Sequence, residues 1–187
     1  ASWLFNPHSS VKAAYTRTFQ YMHLASNSRS TTPLDVWFPS SPNVKPQVSD
    51  QISLGFYRHV YSNQLEAGVE VFYKELQNSI DFKDYAELLL NEYLEGELRF
   101  GSGRAYGLEF SANFDIDGWN GWLSYTISRS TRKIDGVNNN KRYLSPYDHT
   151  HDVSLVVTRN ISKRLSASAN WVYFTGAPVT FPVGRFE

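Results

Sequence analysis

Residues 65 to 74 read Leu-Glu-Ala-Gly-Val-Glu-Val-Phe-Tyr-Lys, and this alternation constrains the fold more than any other stretch of the chain. In extended backbone, successive side chains point to opposite faces. Leu65, Ala67, Val69, Val71 and Tyr73 therefore share one face, and Glu66, Gly68, Glu70 and Lys74 share the other, with Phe72 the one exception. A helix would scatter these residues around its circumference. One face wants an apolar surround and the other wants water.

The same period of two returns along the chain. Val11, Ala13, Tyr15, Phe19 and Tyr21 fall in register, interrupted by Arg17, which calls for either a snorkelling side chain or a bulge. Ile52, Leu54 and Phe56 follow, then the opening segment to about residue 82. Tyr106, Leu108, Phe110, Ala112 and Phe114 form the next set, followed by Leu123, Tyr125 and Ile127. Val153, Leu155 and Val157 precede a last set of Leu165, Ala167, Ala169, Trp171 and Tyr173.

The connections alternate in length. Short turns are expected at 61–64, 115–118 and 160–164, and residues 101–103 read as turn glycines. Long polar loops are expected at 23–47, which carries Pro33, Pro39, Pro42 and Pro46, and at 134–150. Residues 83–100 are ambiguous, with 86–94 suiting either a helical turn or two or an extension of the strand. All eight prolines fall outside the expected strands.

The fold class that follows is all-β: an antiparallel up-and-down transmembrane β-barrel segment of about seven strands plus a stub at residues 3–5. An odd number of antiparallel strands cannot close such a sheet, and the stub is shorter than the roughly 9 to 11 residues a crossing needs. The expectation is one unit over 1–187, an incomplete barrel.

The totals exclude several functions. Eighteen basic residues balance eighteen acidic ones, which argues against a nucleic-acid binder that draws its affinity from uncompensated cations. There is no cysteine, and so no disulfide, zinc-thiolate or cysteine-nucleophile chemistry. No run approaches the roughly 18 apolar residues of a membrane helix. Aromatic residues make up 16% of the chain, a high share that suits the aromatic girdles of a barrel.

Several stretches resemble the C-terminal barrel region of TonB-dependent outer-membrane receptors, particularly those of Bacteroidetes-type bacteria. Residues 41–56, Ser-Pro-Asn-Val-Lys-Pro-Gln-Val-Ser-Asp-Gln-Ile-Ser-Leu-Gly-Phe, are similar to a family loop of the form N-x-x-L-K-P-E entering a strand. Tyr15-Thr16-Arg17-Thr18-Phe19 resembles its Y-S-R-T-F strand. Val71-Phe72-Tyr73-Lys74 with Ile80 resembles the aromatic strand that follows. Gly103-Arg104-Ala105-Tyr106-Gly107-Leu108-Glu109 resembles G-x-x-Y-G-L-E, and Trp122-Leu123-Ser124-Tyr125-Thr126 resembles G-x-x-S-Y-T. The resemblance implies a barrel of about 22 strands around an N-terminal plug, energised by the TonB complex. It implies active uptake of a nutrient such as a siderophore, metal chelate or glycan across the outer membrane of a Gram-negative bacterium. This chain would supply wall and extracellular loops, without the plug or TonB box. It implies no enzyme and no cofactor. A secreted or surface β-sheet binding module, adhesin- or lectin-like, is the alternative.

Candidate substrate-binding residues lie in the long loops: Trp37, Phe38, Arg132, Arg142, Tyr143 and Tyr147, whose rings and guanidinium groups suit a sugar, an aromatic chelate or an anion. Arg129, Arg132, Lys133, Lys141 and Arg142 flank the second long loop and suit either lipopolysaccharide phosphates or an anionic substrate. His149 and His151 fall two apart, a spacing that lets two imidazoles share a metal, though the same segment suits a plain loop-to-strand junction. Glu92, Glu95 and Glu97 have no fixed separation and read as a solvated loop.

Overall fold

The computed structural model describes residues 1–25, 36–60, 64–83, 86, 91 and 93–178. Its strands are β1 (Ser2–Asn6), β2 (Ser9–Gln20), β3 (Met22–Ala25), β4 (Val36–Pro39), β5 (Gln47–Val60), β6 (Leu65–Phe82), β7 (Leu98–Ile116), β8 (Trp119–Ile134), β9 (Tyr143–Leu144), β10 (His151–Ser162) and β11 (Leu165–Phe174). One helical turn, α1 (Leu94–Glu97), precedes β7. No described helix is long and apolar enough to cross a membrane.

The main sheet runs β1-β2-β5-β6-β7-β8-β10-β11, with β9 also pairing with β8, and every pairing is antiparallel. This is an up-and-down sheet whose two ends, β1 and β11, stay apart among the described residues. Eleven strands stand where about seven were expected. The seven long ones are those read from the alternation, and β1 is the stub. The others are the separate β3–β4 hairpin and the two-residue β9, both inside segments read as loops.

Three local expectations are corrected. Pro39 lies in a strand, at the end of β4 opposite Met22, where a two-stranded sheet leaves room for a residue without an N–H. Arg17 causes no bulge, because β2 pairs with β5 without a break and Arg17 meets Asp50 at 3.3 Å. Gly101 and Gly103 lie within β7 rather than in a turn; a Cβ on Gly101 would run into the Lys133 carbonyl oxygen, so the glycine permits close approach of β8. Of residues 83–100, the helical turn falls at 94–97 rather than over 86–94, and 98–100 belong to β7. β6 extends to Phe82 and α1 makes a helical turn, while 84–85, 87–90 and 92 lie outside the described residues, as does most of the turn at 61–64.

Register turns the alternation into two chemically distinct faces. Val11, Phe56, Val69, Phe110, Tyr125, Val153 and Tyr173 form one row across seven strands. The neighbouring row is Ala13, Leu54, Val71, Leu108, Ile127 and His151, and beyond it come Tyr15, Ile52, Tyr73, Tyr106 and Arg129. The opposite face carries Lys12, Gly55, Glu70, Glu109, Thr126 and Asp152 in one row.

On that polar face the Tyr57 ring lies over Gly68 and Gly55, with Lys12 Nζ 4.3 Å from its centroid and its hydroxyl donating to Glu70 at 2.7 Å. Phe72, the exception to the alternation, also points to this face and lies over Gly107, where a Cβ would meet its ring at 3.0 Å. Large rings are accommodated inside because glycine stands opposite them.

Burial is inverted relative to a water-soluble domain. Ile52, Leu54 and Phe56 are exposed while Gln51, Ser53, Gly55 and Tyr57, which alternate with them, are less so, as on a sheet curled with its polar face inside. Only Val44, Leu98 and Ile134 are buried apolar residues among those described. The surface area is 13416 Å², against roughly 9,100 Å² for a compact soluble chain of this mass. The apolar face needs lipid to cover it, which a secreted module in water would lack.

Candidate functional site

The short turns gather at one end of the sheet and the long loops at the other. β6 and β7 exceed the length a crossing requires, and their paired ends project beyond the apolar rows by about 20 Å. Asn78 sets how that projection is used. It is an extra residue at φ 54°, between the Gln77 and Ser79 pairings, and it shifts the alternation by one. Ser79 and Asp81 thereby turn to the polar face. The Asn78 side chain also donates to the Pro46 carbonyl at 2.9 Å, tying the loop before β5 to the bulge.

The loops are held to each other by side chains. Glu95 accepts hydrogen bonds from Ser41 Oγ at 2.7 Å and Asn43 Nδ2 at 2.8 Å, and these hold its carboxyl below the ordinary carboxylate range. Lys83 and Glu97 pair at 2.8 Å across the mouth of the β6–β7 extension. Val44, Leu98 and Ile134 are buried at this loop end of the sheet.

On the polar face Tyr143 stands opposite Arg132 and donates its hydroxyl to Asp81. Burial, and then the Asp81 hydrogen bond, push the Tyr143 phenol well above its ordinary range. The Arg132 guanidinium donates to the Ile80 carbonyl at 3.5 Å and lies 5.8 Å from the centre of the exposed Tyr147 ring. Asp81, Arg132, Tyr143 and Tyr147 therefore form one rim cluster. It offers a cation, a phenol ring with an open face and a carboxylate that is already engaged.

The other candidates fall elsewhere. Arg142 lies on the apolar side of the sheet, where it donates to Thr131 Oγ1 at 3.2 Å. Trp37 and Phe38 belong to β4, opposite Leu24 and His23; Trp37 is exposed, and the Phe38 ring sits 5.4 Å from the His23 imidazole. His149 donates from Nδ1 to the Thr175 carbonyl at 2.7 Å, and His151 Nδ1 is bonded to the Tyr125 hydroxyl at 2.9 Å. The two rings have separate partners, and the described residues contain no group of three or more side chains placed to hold a metal ion. Asp81 and Asn78 carried no signal in the sequence, because the role of each depends on the one-residue shift at the bulge.

The whole chain, residues 1–187, matches the family described as TonB dependent receptor-like, beta-barrel. The chain belongs to that family. TonB-dependent receptors are outer-membrane proteins of Gram-negative bacteria. The fold is shared with three solved structures. Over 92% of the chain it is similar to the ferric-catecholate import receptor Fiu from Escherichia coli K12 in its closed form, at 19% identity and a TM-score of 0.63. Over 90% it is similar to the pyoverdine outer-membrane receptor FpvA from Pseudomonas aeruginosa PAO1 bound to pyoverdine, at 12% identity and a TM-score of 0.61. A P. aeruginosa FpvA complex with a heterologous pyoverdine matches over 91% at 16% identity, with a TM-score of 0.60. The chain spans 23%, 23% and 22% of those receptors, a sector of their length. No curated protein sequence matches it. The family and these neighbours are transport receptors, not enzymes.

Proposed function

We propose that this chain is a sector of wall and extracellular loop in a TonB-dependent receptor, residing in the outer membrane and taking up a scarce nutrient. The observation that carries the reading is the two-faced open sheet, apolar on one side and polar with inward-facing rings on the other, within a family of such receptors. Energy would come from the TonB complex acting on a part of the protein outside this sector. The Bacteroidetes-type reading rests on the motifs at 15–19, 41–56, 71–74 with Ile80, 103–109 and 122–126, taken in their order along the chain.

A metal chelate of the siderophore type is the substrate class that the solved relatives favour, their own ligands being a ferric catecholate and pyoverdine. Tyr147, Arg132 and Tyr143 are the residues proposed to meet it at the rim, with Trp37 and Phe38 contributing from the β3–β4 hairpin. A Tyr147 face beside a guanidinium suits an aromatic or anionic chelate.

The test is uptake of radiolabelled ferric chelates and of labelled oligosaccharides by cells producing the full-length protein, with and without TonB. TonB-dependent accumulation of one class, with a raised half-saturation concentration in Arg132→Gln and Tyr147→Ala, supports the reading. Accumulation that ignores TonB contradicts it.

A further inference from the structure

Outward-facing cations converge on one hydroxyl residue beside the apolar rows. Arg104 on β7 stands directly opposite Thr131 on β8, which puts both on the apolar face with Tyr106 and Ile127. Arg129 and Lys133 lie two residues before and after Thr131, and so share that face. Arg142 reaches the same point from the loop, bonding Thr131 Oγ1 at 3.2 Å. Directly paired residues lie about 5 Å apart, and residues two apart in a strand are separated by about 7 Å.

All four cations are exposed. Two carboxylates stand near them: Glu75, 3.8 Å from Arg104, and the buried Asp148, 3.9 Å from Arg129. Asp148 is already engaged by the Ser130 backbone N–H, and Asp135 stands further along, past the end of β8. Around Thr131, four cations thus face two carboxylates. Like charges at neighbouring positions on a sheet repel, and an external polyanion would relieve the cluster.

The position selects the polyanion. Immediately toward the membrane lie Tyr106 and Tyr73, then Leu54, Val71, Leu108 and Ile127, an apolar surface fit for acyl chains. Arg132, one residue from Thr131, points to the opposite face and takes no part. An amphiphile with acyl chains below and more than one phosphate above matches both halves. Guanidinium groups bind phosphate oxygens in bidentate fashion, so Arg suits this headgroup better than Lys alone.

We propose that Arg104, Arg129, Lys133 and Arg142 form a binding site for the phosphates of lipopolysaccharide in the outer leaflet, with Thr131 positioning Arg142. The site rests on the outer-membrane placement proposed above and is independent of what the receptor transports.

The test uses the purified full-length receptor in detergent micelles and native mass spectrometry. Three probes are added: rough lipopolysaccharide with two lipid A phosphates, the same lipid dephosphorylated, and phosphatidylglycerol. The wild-type protein is expected to bind the bisphosphorylated lipid at least tenfold more tightly than either of the others. Arg104→Gln/Arg129→Gln/Arg142→Gln is expected to lose that preference, while Arg132→Gln on the inner face keeps it. Equal binding of intact and dephosphorylated lipid by the wild type overturns the site, whatever the folding of the triple variant. Equal binding of phosphatidylglycerol overturns the assignment to lipopolysaccharide. Uptake is scored separately in cells, so a receptor that binds the lipid but fails to transport contradicts only the uptake reading.

Discussion

At the scale of single residues, the rim cluster depends on a few hydrogen bonds whose loss is measurable. Tyr143→Phe removes the donor to Asp81 and leaves a part-buried carboxylate short of a partner. A bond to a charged acceptor contributes about 1.5–3 kcal/mol. The expected result is faster hydrogen exchange in β9 and the adjoining end of β6, with the membrane-embedded part of β6 unchanged; equal protection in β9 would contradict it. His23 makes a second case. Its Nδ1 accepts from the Gln47 amide at 3.3 Å, so Nε2 carries the proton toward Ser40 Oγ at 3.0 Å, and burial lowers its pKa below 6.5. The unfolded ring takes up a proton below about 6.5 while the folded ring resists. Stability of the β3–β4 hairpin is therefore full above that pH and falls as pH drops below it. Hydrogen exchange in β3 and β4, corrected for intrinsic rates, should quicken between pH 7.5 and 5.5. Invariance would show that His23 does not couple the hairpin to pH.

At the scale of strands, the alternation decides which substitutions matter. Leu108 faces outward between Val71 and Ile127, and Ser111 faces inward between Gly68 and Ser124. In the complete barrel, Leu108→Arg should cost about 2–4 kcal/mol and Ser111→Arg close to nothing, read from unfolding in bilayers. Equal costs would mean the faces are reversed or mixed. These faces were legible from sequence because a period of two survives wherever lipid covers one side. The seven long strands and the sides of the turns could be anticipated on that basis. What escaped was everything that depends on breaking the period or on long-range packing. The Asn78 bulge moves Asp81 to the inner face, and no local pattern announces it. Gly101 resembled a turn residue, when its small size serves the close approach of β8. The β3–β4 hairpin forms inside a proline-dense loop, since an isolated two-stranded sheet makes few demands on the residue at its end. The candidate site was legible only in part. Arg132 and Tyr143 meet on one face, but adjacent Arg142 goes to the other, and that division follows from the pairing of β9 with β8 rather than from composition.

At the scale of the whole molecule, an open sheet with an apolar exterior and a polar interior accounts for the large exposed area. The arrangement makes sense only when lipid covers one face and the rest of a barrel continues both edges. It also fixes an orientation: short turns at 117–118 and 163–164 on one side, and the loops carrying Asn139 and Tyr147 on the other. The chain has no cysteine, so single cysteines can be introduced without a background. The most direct test places one at Asn139, Tyr147, Asp117 or Lys163 of the full-length protein and treats intact cells with a membrane-impermeant maleimide. Asn139→Cys and Tyr147→Cys should label in intact cells, and Asp117→Cys and Lys163→Cys only after the outer membrane is permeabilised. Labelling of all four in intact cells, or of the turn positions alone, would contradict a sheet that crosses the outer membrane with its long loops outside.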